Sequence, residues 1–307
     1  MAPPAKKIKR ALILSGGGAR GAYQIGVWKY LIDRHWKPDL ICGTSVGAIN
    51  SVGIGSGLNL EELIQIWRAI ERGKVYRISL WQQIRRYLSG SGFVPLMDTE
   101  PFKAFLLERL HHERLRESEM EIIITAVNIL TSELKFFSKR DIDIEHVMAS
   151  SAIPILFPWQ YVDGAPHWDG GVMANTPILP ALERGAKEII VVLLSPVGGS
   201  HLRVPRSRRE AIERVFEQSL NGSYEAFMSH LAYEDKMRER GNILEKMVRK
   251  TLTLGDVRIA TVAPSRMLGF YSILNFSNRQ VDTLLREGYT DARGHLGEFF
   301  GDLDEPY

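Results

Sequence analysis

The chain has little cysteine, no long apolar run and almost no net charge. Its single cysteine, Cys42 in 307 residues, excludes an internal disulfide, and its place in a short apolar run predicts a buried core residue. No apolar stretch is long enough to span a bilayer, and no signal-peptide core follows the charged N-terminus. We therefore expect a soluble, cytoplasmic protein without a signal peptide or transmembrane segment, whose contact with a membrane, if it has one, is peripheral.

The charge balance also limits the class of partner. A formal net charge of +3, from 39 Lys and Arg against 36 Asp and Glu, is mild, and the basic residues are not interleaved with a recognisable nucleic-acid module. Nucleic acid is therefore not an expected partner. We expect no metal and no cofactor, and the sequence leaves the oligomeric state open.

The pattern of short apolar runs alternating with helical segments indicates an α/β fold with a mostly parallel sheet. We expect a single domain over residues 1–307, with a short basic tail at 1–9 and a charged helical insertion around 201–250. A helix is predicted from Ala22 to Arg34, and the last helix is predicted to start at Ser277, where Gln280 completes a capping box. The predicted strands are 11–14, 40–42, 121–129, 188–195 and 257–262.

The sequence Gly-Thr-Ser-Val-Gly at 43–47 follows the second of these strands. A serine with glycine two residues away on each side, between a strand and a helix, is typical of a nucleophile elbow. Gly43 and Gly47 are needed there because a side chain would collide with the neighbouring backbone. Ser45 is therefore the candidate nucleophile, and the alternative is a structural serine in a glycine-rich turn.

A second glycine-rich turn, Ser-Gly-Gly-Gly-Ala-Arg-Gly at 15–21, follows the first strand and opens the first helix. Consecutive glycines let several backbone N–H groups point the same way at a helix N-terminus, which favours a bound negative charge. That charge is either a phosphate or the oxyanion of an acyl-transfer intermediate.

The glycine spacing also matches a dinucleotide-binding fingerprint, but the second half of that fingerprint is missing. A nicotinamide or flavin domain needs an acidic residue at the end of its second strand to hold the ribose. Here the second strand ends in Cys-Gly-Thr-Ser, and Asp39 lies at its start. A Walker-type loop also fails, since no Gly-Lys-Ser/Thr follows the glycines.

A serine nucleophile needs a base, and no histidine lies in a context typical of a catalytic loop. Asp169 is the stronger candidate, since two glycines follow it in the run Asp-Gly-Gly-Val-Met-Ala-Asn-Thr-Pro at 169–177. Such a run fits a carboxylate on a tight turn. Asp163 also precedes a glycine, but its surroundings predict the turn of a β-hairpin.

Taken together, these motifs resemble the patatin-like phospholipase family. The resemblance rests on 16–21, 43–47 and 169–177, together with Ala-Ser-Ser-Ala-Ile-Pro-Ile-Leu-Phe-Pro at 149–158, and it extends over residues 9–195. It implies a three-layer α/β/α fold with a mostly parallel central sheet. It also implies a lipid acyl hydrolase, of phospholipase A or lysophospholipase type, with a Ser–Asp dyad and no catalytic histidine.

The resemblance assigns roles to particular residues. Ser45 would attack the ester carbonyl, Asp169 would take its proton, and the N–H groups of Gly16, Gly17 and Gly18 would stabilise the oxyanion. A weak carboxylate base needs partial desolvation, so we expect Asp169 to be buried. Residues expected to support the substrate or the loops are Arg20, Gly21, Gly43, Gly47, Gly170 and Gly171. The alternative function is a non-catalytic lipid-binding or scaffold protein on the same fold. For Arg20, the alternative is an ordinary surface arginine.

Two further stretches have alternative interpretations. Residues 74–88 mix cations with large aromatic side chains and form either a lipid-contacting lid or part of the core. In the insertion, an apolar stripe at helical spacing favours packing against the sheet. Its members are Ile212, Phe216, Leu220, Tyr224, Phe227 and Leu231.

Overall fold

A computed structural model describes residues 8–70, 75, 97–197, 204–238, 251–254 and 256–301. Within them the strands are β1 (Arg10–Leu14), β2 (Leu40–Thr44), β3 (Glu121–Asn128), β4 (Glu133–Ser138), β5 (Gln160–Val162), β6 (Ala165–Asp169), β7 (Glu188–Val192), β8 (Thr251–Leu254) and β9 (Val257–Val262). The α-helices are α1 (Ala22–Asp33), α2 (Val46–Gly55), α3 (Leu60–Ala69), α4 (Glu100–Leu107), α5 (His112–Glu117), α6 (Ile144–Ser150), α7 (Gly171–Ala174), α8 (Leu179–Glu183), α9 (Arg208–Arg238), α10 (Asn278–His295) and α11 (Gly297–Phe300). Short 3-10 helices lie at Gly18–Gly21 and Phe270–Leu274.

The strands form one mixed sheet in the order β5-β6-β3-β2-β1-β7-β9-β8, with β4 paired to β3. Its five central strands, from β3 to β9, are parallel, while β4, β5, β6 and β8 pair in antiparallel fashion. Because the carboxyl ends of the parallel strands share one edge, the turns after β1 and β2 meet there. Both glycine-rich motifs lie in those turns.

Side chains alternate between two buried clusters along the central strands. In β1, Leu12 and Leu14 join the cluster that contains α1, α2, α3 and α10, whereas Ala11 and Ile13 join the one that contains parts of α8 and α9. Strands covered on both faces are expected to be continuously apolar, and β2 and β7 are free of polar side chains except at Thr44 and Glu188, each at one end of its strand. The predicted three-layer α/β/α fold is therefore confirmed.

Two helices that come from opposite ends of the chain pack unusually closely on one face of the sheet. A Cβ atom on Gly288 of α10 would lie 2.1 Å from the Tyr23 carbonyl oxygen, and one on Gly26 of α1 would lie 2.2 Å from that of Leu285. Helix α10 is thus part of the core. Ser277 caps α10 by accepting from the Gln280 N–H (3.3 Å), as predicted, but the box is not closed, because the Ser277 N–H donates to Asn275 Oδ1 and Gln280 Oε1 accepts from Asn275 Nδ2.

The five predicted strands are all present, and β5 and β6 are the two strands of the hairpin predicted around Asp163, while β4 and β8 were not predicted. Cys42 is fully buried, and burial raises the pKa of its thiol to about 12, as expected of a core residue. The stripe on α9 is only partly packed, since Tyr224 is buried and Phe227 and Leu231 contact the core, but Ile212 is exposed. Of the segment 74–88, only Val75 falls within the described residues, and it is buried.

Candidate active site

Ser45 lies on a strained turn between β2 and α2. Its backbone has φ 57° and ψ −125°, in a region that a residue with a side chain rarely occupies. A Cβ atom on Gly43 would lie 2.3 Å from the Gly47 carbonyl oxygen, and one on Gly47 would lie 2.1 Å from that of Leu14. The two flanking glycines are therefore required sterically, as the elbow motif predicts. The Ser45 N–H donates to Oγ of Ser150 at 3.0 Å.

Strand pairing on β3 brings Asp169 to this turn. Thr125 of β3 pairs with Thr44 at the end of β2, and the next residue, Ala126, pairs with Asp169 at the end of β6. Because β4 occupies the other edge of β3, β2 and β6 lie on the same edge and run towards each other. Their carboxyl ends therefore meet, and the residue that follows β2 faces the last residue of β6.

The Asp169 carboxylate is almost completely buried beside Ser45. Its Oδ1 accepts a hydrogen bond from the Gly171 N–H at 2.7 Å. Desolvation by burial raises the pKa of Asp169 to about 7, and the neighbouring Ser45 side chain and the Gly171 N–H act against the rise. The carboxylate can thus exchange a proton near neutral pH.

The competing aspartate has the predicted structural role. Asp163 and Gly164 form the turn between β5 and β6, with φ of 50° and 76°, and Val162 pairs with Ala165 across it. Positive φ at both central residues is the geometry of a tight hairpin turn.

The glycine-rich loop at 16–18 lies next to the serine. A Cβ atom on Gly16 would come within 3.0 Å of Cβ of Ser45, and Gly18 has φ 59°. Among the residues that the structure describes, no acceptor takes the N–H of Gly17 or Gly18, so both are available to a ligand. Gly16 differs from the prediction, because its N–H already donates to the Asn175 carbonyl at 3.1 Å.

The remaining glycines of the motifs lie where a side chain would not fit. A Cβ on Gly21 would be 2.3 Å from Val46, and one on Gly170 would be 2.1 Å from the Thr125 hydroxyl. Gly171 is less crowded, with its nearest neighbour at 2.9 Å. Gly21 and Gly170 thus permit close approach of the loops to α2 and β3.

Arg20 is not a surface residue. Its side chain is fully buried, and its guanidinium forms an ion pair with Glu217 of α9. Further hydrogen bonds reach the Leu194 carbonyl at 2.9 Å and Ser272 Oγ at 2.7 Å. Arg20 therefore orders the loop, and the surface interpretation is wrong.

Sequence reasoning missed two side chains that hold the site. Ser150 Oγ accepts the Ser45 N–H. Asn175 holds the glycine-rich loop in place, since its Nδ2 donates to the Gly16 carbonyl at 3.3 Å. Both lie inside segments that carried the family resemblance, but nothing in the local pattern indicated which atoms they would bind.

A narrow, apolar cavity of about 40 Å³ opens beside Ser45. The residues lining it include Gly18, Val46, Ile49, Trp67, Phe102, Ile153, Phe157, Ile273 and Phe276.

Neither metal-binding nor membrane-spanning features are present in the described part of the chain. No group of three or more His, Cys, Asp or Glu side chains there could hold a metal ion. None of the helices described combines the length and apolar character needed to cross a bilayer.

The fold and site together define an α/β/α protein with a serine on a strained elbow and a buried carboxylate beside it. Residues 12–182, more than half of the chain, match the family model described as patatin-like phospholipase. The chain therefore belongs to the patatin-like phospholipase family, as its motifs indicated.

Individual relatives give the same family at moderate identity. A cGAMP-activated phospholipase of Pseudomonas aeruginosa is 30% identical over 181 residues, which cover 54% of this chain and 53% of the relative. The lysophospholipase NTE1 of Cryptococcus neoformans is 28% identical over 218 residues, or 70% of this chain and 13% of that protein. The chain thus spans about half the length of the first of these relatives and a smaller part of the second.

A solved structure of human GIVD cytosolic phospholipase A2, in complex with methyl gamma-linolenyl fluorophosphonate, matches the fold. It is 11% identical, with a TM-score of 0.50, and the match covers 96% of this chain and 59% of that one. At this identity, the likeness concerns the fold alone.

Proposed function

We propose that the protein is a lipid acyl hydrolase of phospholipase A or lysophospholipase type, in which Ser45 and Asp169 form a catalytic dyad. The observation that carries the proposal is the placement of Ser45, on a strained elbow, beside a buried carboxylate whose pKa burial raises to about 7. Such a carboxylate is a far stronger base than an exposed aspartate. The family and the names of its relatives support a lipid carboxylic ester as the substrate.

The reaction would proceed in two steps. Ser45 Oγ attacks the ester carbonyl while Asp169 takes its proton, and the alkoxide leaving group departs with that proton, leaving an acyl-serine. Water then attacks the acyl-serine, Asp169 accepts a proton from the water and returns one to Ser45, and the fatty acid is released. The N–H groups of Gly17 and Gly18 would stabilise the oxyanion in both steps. Gly16, whose N–H is engaged, would position the loop.

Direct labelling tests this function. The wild-type protein should react with a fluorophosphonate probe and hydrolyse a short-chain soluble ester, while Ser45→Ala and Asp169→Asn should abolish both. Both changes nearly conserve volume, so a folded protein is expected. Asp163→Asn is the matched control and should stay active, since Asp163 is a hairpin residue. An active Asp169→Asn beside an inactive Asp163→Asn would refute the assignment of the base.

The alternative, a non-catalytic lipid-binding or scaffold protein, is less well supported. A scaffold has no need for a nucleophile held in a strained conformation, because such strain costs about 1–3 kcal/mol and persists mainly at functional sites. Absence of both labelling and ester hydrolysis in the folded wild-type protein would favour this alternative.

We further infer that the protein meets lipid with the surface around the mouth of the Ser45 cavity. Three segments near Ser45 contain no Asp, Glu, Lys or Arg: residues 147–162 and 267–278, which contribute to the cavity lining, and residues 170–182, which directly follow Asp169. Each contributes an exposed large apolar side chain: Ile155, Met173 and Tyr271 are 63%, 48% and 63% exposed. An uncharged apolar rim fits an acyl layer because no ionic group must be desolvated. Residence in the cytoplasm with peripheral contact to a membrane remains a prediction.

A further inference from the structure

One turn of α9 contacts the glycine-rich loop through Arg20 and the loop that follows Asp169 through Asn175. The helix is otherwise largely exposed, with Ile212 and Val215 both more than 60% exposed, yet Glu217 is only 4% exposed. The same turn includes Leu220 and Asn221, and each of these makes a hydrogen bond to a loop at the carboxyl edge of the sheet. This part of α9 is therefore built into the site.

Glu217 uses both carboxylate oxygens to hold Arg20. Its Oε2 accepts from Arg20 Nη1 at 3.0 Å and from Ser195 Oγ at 2.5 Å, while Oε1 accepts from Arg20 Nη2. A bidentate pair of this kind fixes the orientation of the guanidinium as well as its position.

Arg20, so oriented, holds the segment that lies against the proposed oxyanion donors. Its Nη2 donates to the Gly269 carbonyl at 2.9 Å and its Nε to Ser272 Oγ at 2.7 Å. Ile273, in the 3-10 helix Phe270–Leu274, packs closely on Gly18. A Cβ atom on Gly18 would lie 2.5 Å from the Ile273 carbonyl oxygen. The position of Gly18 thus depends on a chain of contacts that starts at Glu217.

The other end of the glycine loop is held by the same helical turn. The Leu220 carbonyl accepts from Asn175 Nδ2 at 3.0 Å, and the same Nδ2 donates to the Gly16 carbonyl at 3.3 Å. Asn175 in turn accepts the Gly16 N–H through its backbone carbonyl. Hence α9 constrains both ends of residues 16–18.

We propose that Glu217 is a positioning residue, which through Arg20 sets the distance between the oxyanion donors and Ser45. The inference rests on the proposed function and assigns a role to a helix outside the matched range of 12–182. Stability alone is a weak reason for the pair, since replacing a buried ion pair by apolar side chains is often neutral or stabilising. A misplaced donor, by contrast, lowers turnover without removing the substrate-binding surface.

The test compares Glu217→Gln with the double variant Arg20→Met/Glu217→Met on a short-chain soluble ester. We expect kcat to fall about ten- to a hundredfold in both, with KM changing less than about threefold. The double variant should melt close to the wild-type temperature, because it leaves no unpaired buried charge. Glu225→Gln, an exposed glutamate on the same helix, is the matched control and should leave kcat unchanged.

The outcomes separate the two proposals. If the wild-type protein neither hydrolyses the ester nor reacts with a fluorophosphonate, the proposed function fails. If the wild-type protein is active and either folded variant keeps its full kcat, Glu217 does not position the donors. If neither variant folds, the pair serves the fold alone, and the positioning role is equally refuted.

Discussion

At the scale of single residues, the buried Asp169 carboxylate makes the site sensitive to pH. Asp169 can accept the Ser45 proton only when it is ionised, and burial raises its pKa to about 7. The ionised fraction, and with it kcat/KM for a soluble ester, should therefore rise with pH through a midpoint near 7. Below that midpoint we expect a fall of roughly tenfold per pH unit.

A pH–rate profile between pH 5 and 9 measures this effect. Asp163→Asn should show the same midpoint, because the hairpin turn does not contact the carboxylate. A profile without a change between pH 5 and 8 would contradict the role of Asp169 as the base, since an exposed carboxylate with an ordinary pKa is already ionised there.

Gly18 provides a second residue-scale prediction. Its φ of 59° and its closeness to the Ile273 carbonyl mean that Gly18→Ala must move the loop that carries an oxyanion donor. We expect kcat to fall about a hundredfold, the scale for one lost donor, with a smaller change in KM. Steady-state kinetics on a soluble ester measures both.

Gly164→Ala is the matched control for that variant. Gly164 also has positive φ, at 76°, but a Cβ there would meet no atom within 4 Å. Both variants therefore carry backbone strain, and only Gly18→Ala should lose activity. Equal losses in the two would attribute the effect to strain in general.

At the scale of secondary structure elements, the central strands and the first helix could be predicted from the sequence. Their signals are local, since strands covered on both faces, such as β7, are apolar along nearly their whole length. The edge strands β4 and β8 were missed because one is partly exposed, the other is short, and both pair in antiparallel fashion. The hairpin of β5 and β6 was predicted from its turn at Asp163, but its pairing with β3, which brings Asp169 to Ser45, was not.

The site was predictable only where its residues lie within short motifs. Ser45 follows β2 and Asp169 ends β6, and glycines come soon after both, so local pattern and family resemblance sufficed for both. The Arg20–Glu217 pair joins residues 197 positions apart. A glutamate in a highly charged helix is expected at the protein surface, so the sequence did not indicate that Glu217 is buried. Likewise, the Gly16 N–H donates to the Asn175 carbonyl only because the fold brings these two distant residues together, and no spacing in the sequence indicates this contact.

The contact between α1 and α10 gives an element-scale prediction. Gly288→Ala places a methyl group against the Tyr23 carbonyl, so the two helices must separate, at a cost of about 1–3 kcal/mol in the free energy of unfolding. Gly294→Ala, on the same helix with open space around it, should instead stabilise by up to about 1 kcal/mol. Urea denaturation of both variants measures the difference, and equal effects would show that the close packing is not required.

At the scale of the whole molecule, the apolar rim around the cavity predicts how the protein reaches lipid. Ile155 is a suitable probe because it is exposed and has φ 72°, a region unfavourable for a β-branched side chain. Ile155→Asn removes apolar surface and relieves strain, since asparagine tolerates that region. The variant should therefore fold at least as well as the wild-type protein.

Ile155→Asn and Met173→Gln are combined in a Ser45→Ala background. This variant should bind phosphatidylcholine vesicles about tenfold or more weakly, because each change reduces the apolar surface that is transferred from water to lipid. Cosedimentation measures the binding without interference from hydrolysis. With Ser45 intact, the same pair of changes should spare activity on a short soluble ester. Ile32→Asn, at the opposite edge of the sheet, is the control and should bind as the parent does. Unchanged vesicle binding, or equal loss of activity on vesicles and on the soluble ester, would place the lipid-contacting surface elsewhere.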